Sequence, residues 1–267
     1  MLVQAVVAVV SLKGGVGKTT VALGLAGAAM ERGQRALVVD LDPQANATTA
    51  LAPDMVTFTT NDVLADSRVG TLADAIVPSG WGELVDVVPS EPALEHRNRG
   101  DSKSKEHRLR GAMSGLAGYD LVIIDCPPSL GELTKNALAA AHTALVVTEP
   151  TIFAVSGAQQ ALEAIDVVRR GFNLRLKPAG IVVNRYQPRS TEHRFRLHEL
   201  MSAYHGLVLP ETLPERAAVV SAQGAGVPVQ RWPSGGARDL AKVFEAYLDR
   251  VLETAAAAGP LTNGSRR

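Results

Sequence analysis

The sequence predicts an α/β domain, a mostly parallel, twisted sheet with helices on both faces. Three observations carry this. Short runs of β-branched and small apolar residues alternate with longer amphipathic stretches, the order that results when each strand is followed by a crossover helix. The first run, 3–10, enters a glycine-rich loop and then an Ala/Leu-rich stretch closed by Gly33, which reads as strand, turn and helix with its stop. At 267 residues the chain lies in the range that α/β folds span as one domain.

In order, strands are expected at 3–10, 35–40, 84–88, 121–125, 144–148 and 180–184, with 207–209 as a further candidate. Helices are expected at 19–32, 61–66, 92–99, 104–115, 132–140, 155–170, 190–204, 215–224 and 236–256. The domain is drawn at 1–256. The remainder, 257–267, with Gly, Pro, Asn and Ser before two arginines, is expected to be disordered.

Composition bounds the function. Lys+Arg and Asp+Glu are 27 each, so the formal net charge is zero. No global basic field marks a nucleic-acid binder, and any such binding needs a local patch. The lone Cys126 makes no internal disulfide and reads as a small buried filler. No secretory leader pattern is present, and no apolar run reaches the roughly 18 residues of a membrane helix. The expectation is a cytoplasmic protein.

The loop Ser11-Leu12-Lys13-Gly14-Gly15-Val16-Gly17-Lys18-Thr19-Thr20 is built to hold a polyphosphate. Its glycines let successive N–H groups curl inward at the head of a helix dipole. Lys18 then reaches the β- and γ-phosphates and the Thr19 hydroxyl can ligate Mg2+. Lys13 stands at the mouth of a loop whose phosphates Lys18 and the backbone already hold, which suits it to reach across a subunit boundary.

The octet 13–20 resembles the deviant Walker A loop of the ParA/MinD ATPases. The resemblance implies a single P-loop NTPase domain that binds ATP and Mg2+ through Lys13, Gly14, Gly15, Val16, Gly17, Lys18, Thr19 and Thr20. It also implies that Lys13 touches the nucleotide of the facing subunit, so that ATP cements a sandwich homodimer.

Val38-Val39-Asp40-Leu41-Asp42-Pro43-Gln44-Ala45-Asn46 ends a buried strand. Its two carboxylates project from one side while the chain is extended, toward the strand ends where ligands of open α/β sheets collect. The segment is similar to the family's switch I, which would make Asp42 the group that positions the attacking water near the metal and Asp40 a support for the metal shell or loop. An Asx turn ahead of Pro43 is the other reading of Asp42.

Leu121-Val122-Ile123-Ile124-Asp125 has the form of a Walker B strand, delivering the Asp125 carboxylate to the metal's water shell. The following Cys126-Pro127-Pro128-Ser129-Leu130-Gly131 is a stiff turn that resembles switch II of ParA proteins. For the base, Asn184 at the end of a strand offers an amide donor and acceptor. Related ATPases use this location and the turn holding Pro214, although a turn asparagine is the other reading of Asn184.

The resemblance runs from residue 3 to about residue 233. It departs after Pro214, where chromosomal members carry a Pro-Arg-Asn-Val-Arg-Leu-Ser-Glu-Ala pattern associated with DNA contact. Here the segment is Pro214-Glu215-Arg216-Ala217-Ala218-Val219-Val220-Ser221-Ala222, with both arginine positions of that pattern lost. Arg185, Arg189, Arg194, Arg196, Arg216 and Arg231 are the replacement candidates for nonspecific duplex contacts, with a solvated set of arginines as the other reading. The charge-dense stretch 91–110 reads as a solvated helix pair.

MinD-type members end in a helix that inserts into lipid. Here the stripe Leu240, Val243, Phe244, Tyr247, Leu248, Val251 and Leu252 is expected to pack on the parent domain instead, so no membrane partner is expected. The first strand begins almost at Met1, which fits the short form without a preceding DNA-binding extension. The resemblance therefore implies a partition ATPase, nucleoid-associated, released from double-stranded DNA when a ParB-like partner stimulates hydrolysis. A nucleotide-gated scaffold with no DNA contact is the alternative from another class, and a metabolic ligase of the same superfamily a third.

Overall fold

The computed structural model describes residues 3–66, 68–99, 107–215 and 217–259. Seven strands form one sheet: β1 (Ala5–Val10), β2 (Ala36–Asp40), β3 (Val77–Pro78), β4 (Val85–Val88), β5 (Leu121–Asp125), β6 (Thr143–Thr148) and β7 (Lys177–Val183). Their order is β3-β4-β2-β5-β1-β6-β7. All neighbours pair in parallel except the short edge strand β3, antiparallel to β4. Pro78 is tolerated there because an edge strand has N–H positions that need no partner.

Side-chain alternation divides the apolar residues into two cores. Val7 and Val9 of β1, Val38 of β2 and Ile123 of β5 belong to one core, together with residues of α1 (Lys18–Glu31) and α9 (Gly235–Ala258). Val6, Ala8, Val39 and Ile124 belong to the other, beneath α3 (Thr60–Ala65), α4 (Arg108–Ala112), α5 (Glu132–Ala140) and α6 (Ala154–Gly171). The sheet is covered on both faces, which is why its strands read as continuous apolar runs.

α1 is buried almost all round and packs tightly on α9: a methyl on Gly24 would lie 2.2 Å from the Phe244 ring. The apolar stripe of α9, Leu240, Phe244, Tyr247, Leu248 and Val251, is buried in this contact. The stripe is therefore spent on the parent domain, as its spacing suggested.

Several expectations shift. The segment 207–209 is not a strand: it makes one isolated bridge, Val208 to Ile181, and then meets Pro210, which has no N–H to extend a ladder. The stretch 92–99 is a 3-10 helix, and the helix expected at 104–115 is observed at Arg108–Ala112, with 100–106 outside the described residues. The long final helix continues to Ala258 and stops at Gly259, whose φ is 72°; residues 260–267 lie outside the description. α2 (Asn46–Leu51) was not expected. Also present are α7 (Thr191–Ala203) and α8 (Ala217–Gly224).

Candidate nucleotide site

The loop leaves β1 at its carboxyl end and turns into α1. Gly15 and Gly17 take left-handed φ angles of 78° and 91°, a conformation that costs other residues about 1 kcal/mol or more. At Gly17 there is also no room, because a Cβ would lie 2.2 Å from Asn184 Nδ2. Lys18 is only 6% exposed, and the Thr19 hydroxyl donates to Asp125 Oδ2 at 2.7 Å.

Asp125 ends β5 in register with Asp40 of β2, and both carboxylates are fully buried. Burial pushes the Asp125 carboxyl up, the Asp40 charge adds to this, and Thr19 and Lys18 oppose it. Its Oδ1 has no hydrogen-bond partner among the described residues. An orphaned, buried carboxylate oxygen beside a threonine hydroxyl and a lysine fits the surroundings of a divalent cation and its water shell.

Asp40 is engaged differently from Asp42. Asp40 Oδ2 accepts from both the N–H and the hydroxyl of Thr48, at 2.8 and 2.7 Å, and Oδ1 accepts from Asp42 N at 3.0 Å. Thr48 Oγ1 in turn accepts from Ser90 N, and Ser90 Oγ donates to the Asp42 carbonyl. Of the two roles read for Asp40, support of the loop is the one these contacts express. Asp42 Oδ1 accepts from Gln44 N at 3.0 Å, so the Asx turn is real. Asp42 nevertheless lines the phosphate pocket, and its carboxyl is raised by burial, against the pull of Gln44 N and Lys18.

That pocket is about 530 Å3 and is lined by Gly14, Gly15, Gly17, Lys18, Thr19, Thr20, Asp42 and Pro128, with Asn46, Thr49 and Gln223 also in its lining. The volume suits a small-molecule ligand. Pro128, in the stiff turn after β5, lies against Gly14. Cys126 is fully buried and free.

Asn184 Nδ2 donates to Val16 O at 2.7 Å, so in this structure its amide braces the loop. Leu213 N donates to Val183 O, which brings Pro214 beside Asn184 at the end of β7. Lys13, with its side chain 57% exposed, pairs with Glu149 at 3.4 Å, and the same carboxylate holds Arg185 at 2.7 Å.

Among the described residues the basic candidates do not form one patch. Arg189 and Arg194 are exposed, on the segment from β7 into α7. Arg196 is bound by Glu192 and Glu199. Arg231 pairs with Glu31, in the last turn of α1, at the opposite end of that helix from the phosphate loop. Arg216 lies outside the described residues.

The sequence reading missed Thr48, Ser90, Glu149 and Gln223. The Thr48 hydroxyl sits eight residues beyond Asp40 in a stretch without helical periodicity, and the other three reach the site from distant segments. No local spacing marks such residues.

A mainly parallel sheet with a phosphate loop at the carboxyl end of its central strand, facing a buried carboxylate, defines a P-loop NTPase. The model of the AAA domain family matches residues 4–178. The chromosome partitioning protein ParA of Myxococcus xanthus is 34% identical over 84% of this chain and 80% of its own length. The chromosome-partitioning ATPase Soj of Thermus thermophilus is 34% identical over 92% and 96%. A Mycobacterium smegmatis structure described as cobyrinic acid a,c-diamide synthase with bound ADP and magnesium is 32% identical, with a TM-score of 0.77 over 91% of this chain and 94% of that one. The chain belongs to the ParA/Soj family of partition-type ATPases.

Proposed function

We propose that the protein binds ATP and Mg2+, dimerises face to face on the nucleotide, coats duplex DNA nonspecifically, and leaves it when hydrolysis is stimulated by a ParB-like partner. The observation that carries this reading is that Lys18, Thr19 and Asp42 line one pocket, that the buried Asp125 backs it through the Thr19 hydroxyl, and that Lys13 is exposed at the start of the same loop. Thr19 and the shell around Asp125 would hold Mg2+, which supplies charge neutralisation of the phosphates. Lys18 and the loop N–H groups hold the β- and γ-phosphates, and Asp42 orients the attacking water. Lys13 adds positive charge from the facing subunit where charge develops in the transition state.

Two exposed apolar residues, Ile152 and Phe153, stand at 65% and 67% exposure on the segment that follows Glu149. Together with Lys13 they favour a second copy meeting this face. Arg189 and Arg194 are the bases best placed for phosphate contacts, doubled by dimerisation. Localisation would be cytoplasmic and nucleoid-associated. Among the described residues no helix is long and apolar enough to cross a membrane.

The deciding experiment is binding to random duplex DNA across a salt series with ATP, with ADP and with Lys13→Ala. Binding that requires ATP and weakens with salt and with Lys13→Ala supports partition. Indifference to nucleotide sinks it. ATP-dependent dimers without DNA binding would favour the scaffold reading. The name attached to the M. smegmatis structure raises an amide-forming ligase, for which ATP turnover would depend on an added acid substrate and an ammonia donor.

A further inference from the structure

The pocket is lined by more than the phosphate loop. At one end Pro128 packs on Gly14, near Lys18 and Asp42. The lining also includes Thr20 and Gln223, which share a joint of about 20 Å3 with Trp81 and with Leu23 and Gly24, one turn further along α1. A nucleotide with its terminal phosphate at Lys18 and Asp42 and its chain running along the loop toward α1 would bring its sugar near Thr20 and Gln223.

Gln223 is fixed in place there. Its neighbour Ala222 is 1% exposed, α8 packs on α9 and the 229–231 turn, and Ala222 and Val219 face Thr20, Leu23 and Gly24 of α1 across a small joint. The Gln223 side chain lines the phosphate pocket from this anchored helix. Neither end of its half-buried carboxamide is hydrogen-bonded among the described residues. A primary amide offers both donors and an acceptor, which matches a pair of neighbouring hydroxyls, each able to donate and accept.

We propose that Gln223 is a specificity-determining residue that hydrogen-bonds the ribose hydroxyls of the bound nucleotide, making the pocket selective for ribonucleoside over deoxyribonucleoside triphosphates. This rests on the reading of the loop as an ATP site.

The test is equilibrium binding of ATP, 2′-deoxy-ATP and 3′-deoxy-ATP, with Mg2+, to the wild type, Gln223→Leu and Gln223→Ala, each checked by circular dichroism for a native spectrum. The wild type should bind ATP about 3- to 10-fold more tightly than at least one deoxy analogue, the range of one net hydrogen bond. Both variants should lose that preference while still binding triphosphate. A wild type that binds all three equally overturns the sugar contact, whatever the variants do, and so does a variant that keeps the wild-type ratio. A wild type that binds no ATP overturns the nucleotide reading itself.

Discussion

Lys13 is tethered within its own chain: its Nζ lies 3.4 Å from Glu149 Oε2, while Arg185 occupies the other oxygen of the same carboxylate at 2.7 Å. A lysine that is to reach a neighbouring subunit must first leave this carboxylate. A partly exposed ion pair of this kind contributes about 0.2–1 kcal/mol, and a homodimer must free two of them, so Glu149→Gln should lower the protein concentration needed for ATP-dependent dimerisation by about two- to thirtyfold. Sedimentation equilibrium with a non-cleavable ATP analogue reads this directly; an unchanged or raised midpoint counts against the tether.

Asp125 is expected to trade stability for function. A carboxylate whose Oδ1 has no partner among the described residues, deep in the sheet, is destabilising in the absence of a cation. Asp125→Asn keeps an acceptor for Thr19 but removes the charge. In metal-free buffer the variant should melt at or above the wild-type temperature, and its affinity for MgATP should fall about tenfold or more. A lower melting temperature with unchanged MgATP binding would contradict the assignment.

Thr48→Val removes the hydroxyl that joins Asp40 to Ser90. It leaves a buried carboxylate oxygen with one donor fewer and Ser90 N without its acceptor. The expected loss is about 1–3 kcal/mol, measured by urea unfolding. Lys18→Ala and Asp42→Ala should instead abolish ATP hydrolysis with smaller effects on folding.

The buried His142 accepts from Val6 N through Nδ1 at 2.9 Å, and burial holds its pKa down to about 4, below the ordinary 6.5. Because the folded value is the lower one, its contribution to stability is fully present above about pH 6.5 and is lost as pH falls toward 4. Protonation would also remove the acceptor for Val6 N. The contribution at stake is about 3 kcal/mol. His142→Asn should flatten the dependence of unfolding free energy on pH within that window, relative to the wild type.

The arginines should separate by their present partners. Arg189→Ala and Arg194→Ala are expected to weaken ATP-dependent DNA binding and each to reduce its salt slope by about one. Arg231→Ala, whose partner is Glu31, and Arg196→Ala, held by two glutamates, should leave the slope unchanged. Filter binding at several salt concentrations distinguishes these outcomes.

Much of the machinery was legible in contiguous residues. The strand-loop-helix of β1 and α1 could be read because the loop's chemistry depends on backbone conformation and on side chains a few positions apart. The position of Asp125 at the end of β5 could be read because a buried strand announces itself by its apolar run. α2 could not, since its residues Asn-Ala-Thr-Thr-Ala-Leu carry neither helical periodicity nor a capping side chain. Its Thr48 is held instead by Asp40 of β2 and Ser90 beyond β4.

By itself, then, the sequence determined the fold class, the phosphate loop and the carboxylates at the strand ends, because each is a local pattern of backbone freedom and apolar alternation. Only the tertiary structure decided that Asp40 braces a loop while Asp42 lines the pocket, that Glu149 holds Lys13, that Gln223 faces the ligand space, and that the arginines fall apart into separate regions. The physical reason is that hydrogen bonds and ion pairs form between groups that folding brings together, across separations in sequence that carry no periodic signal.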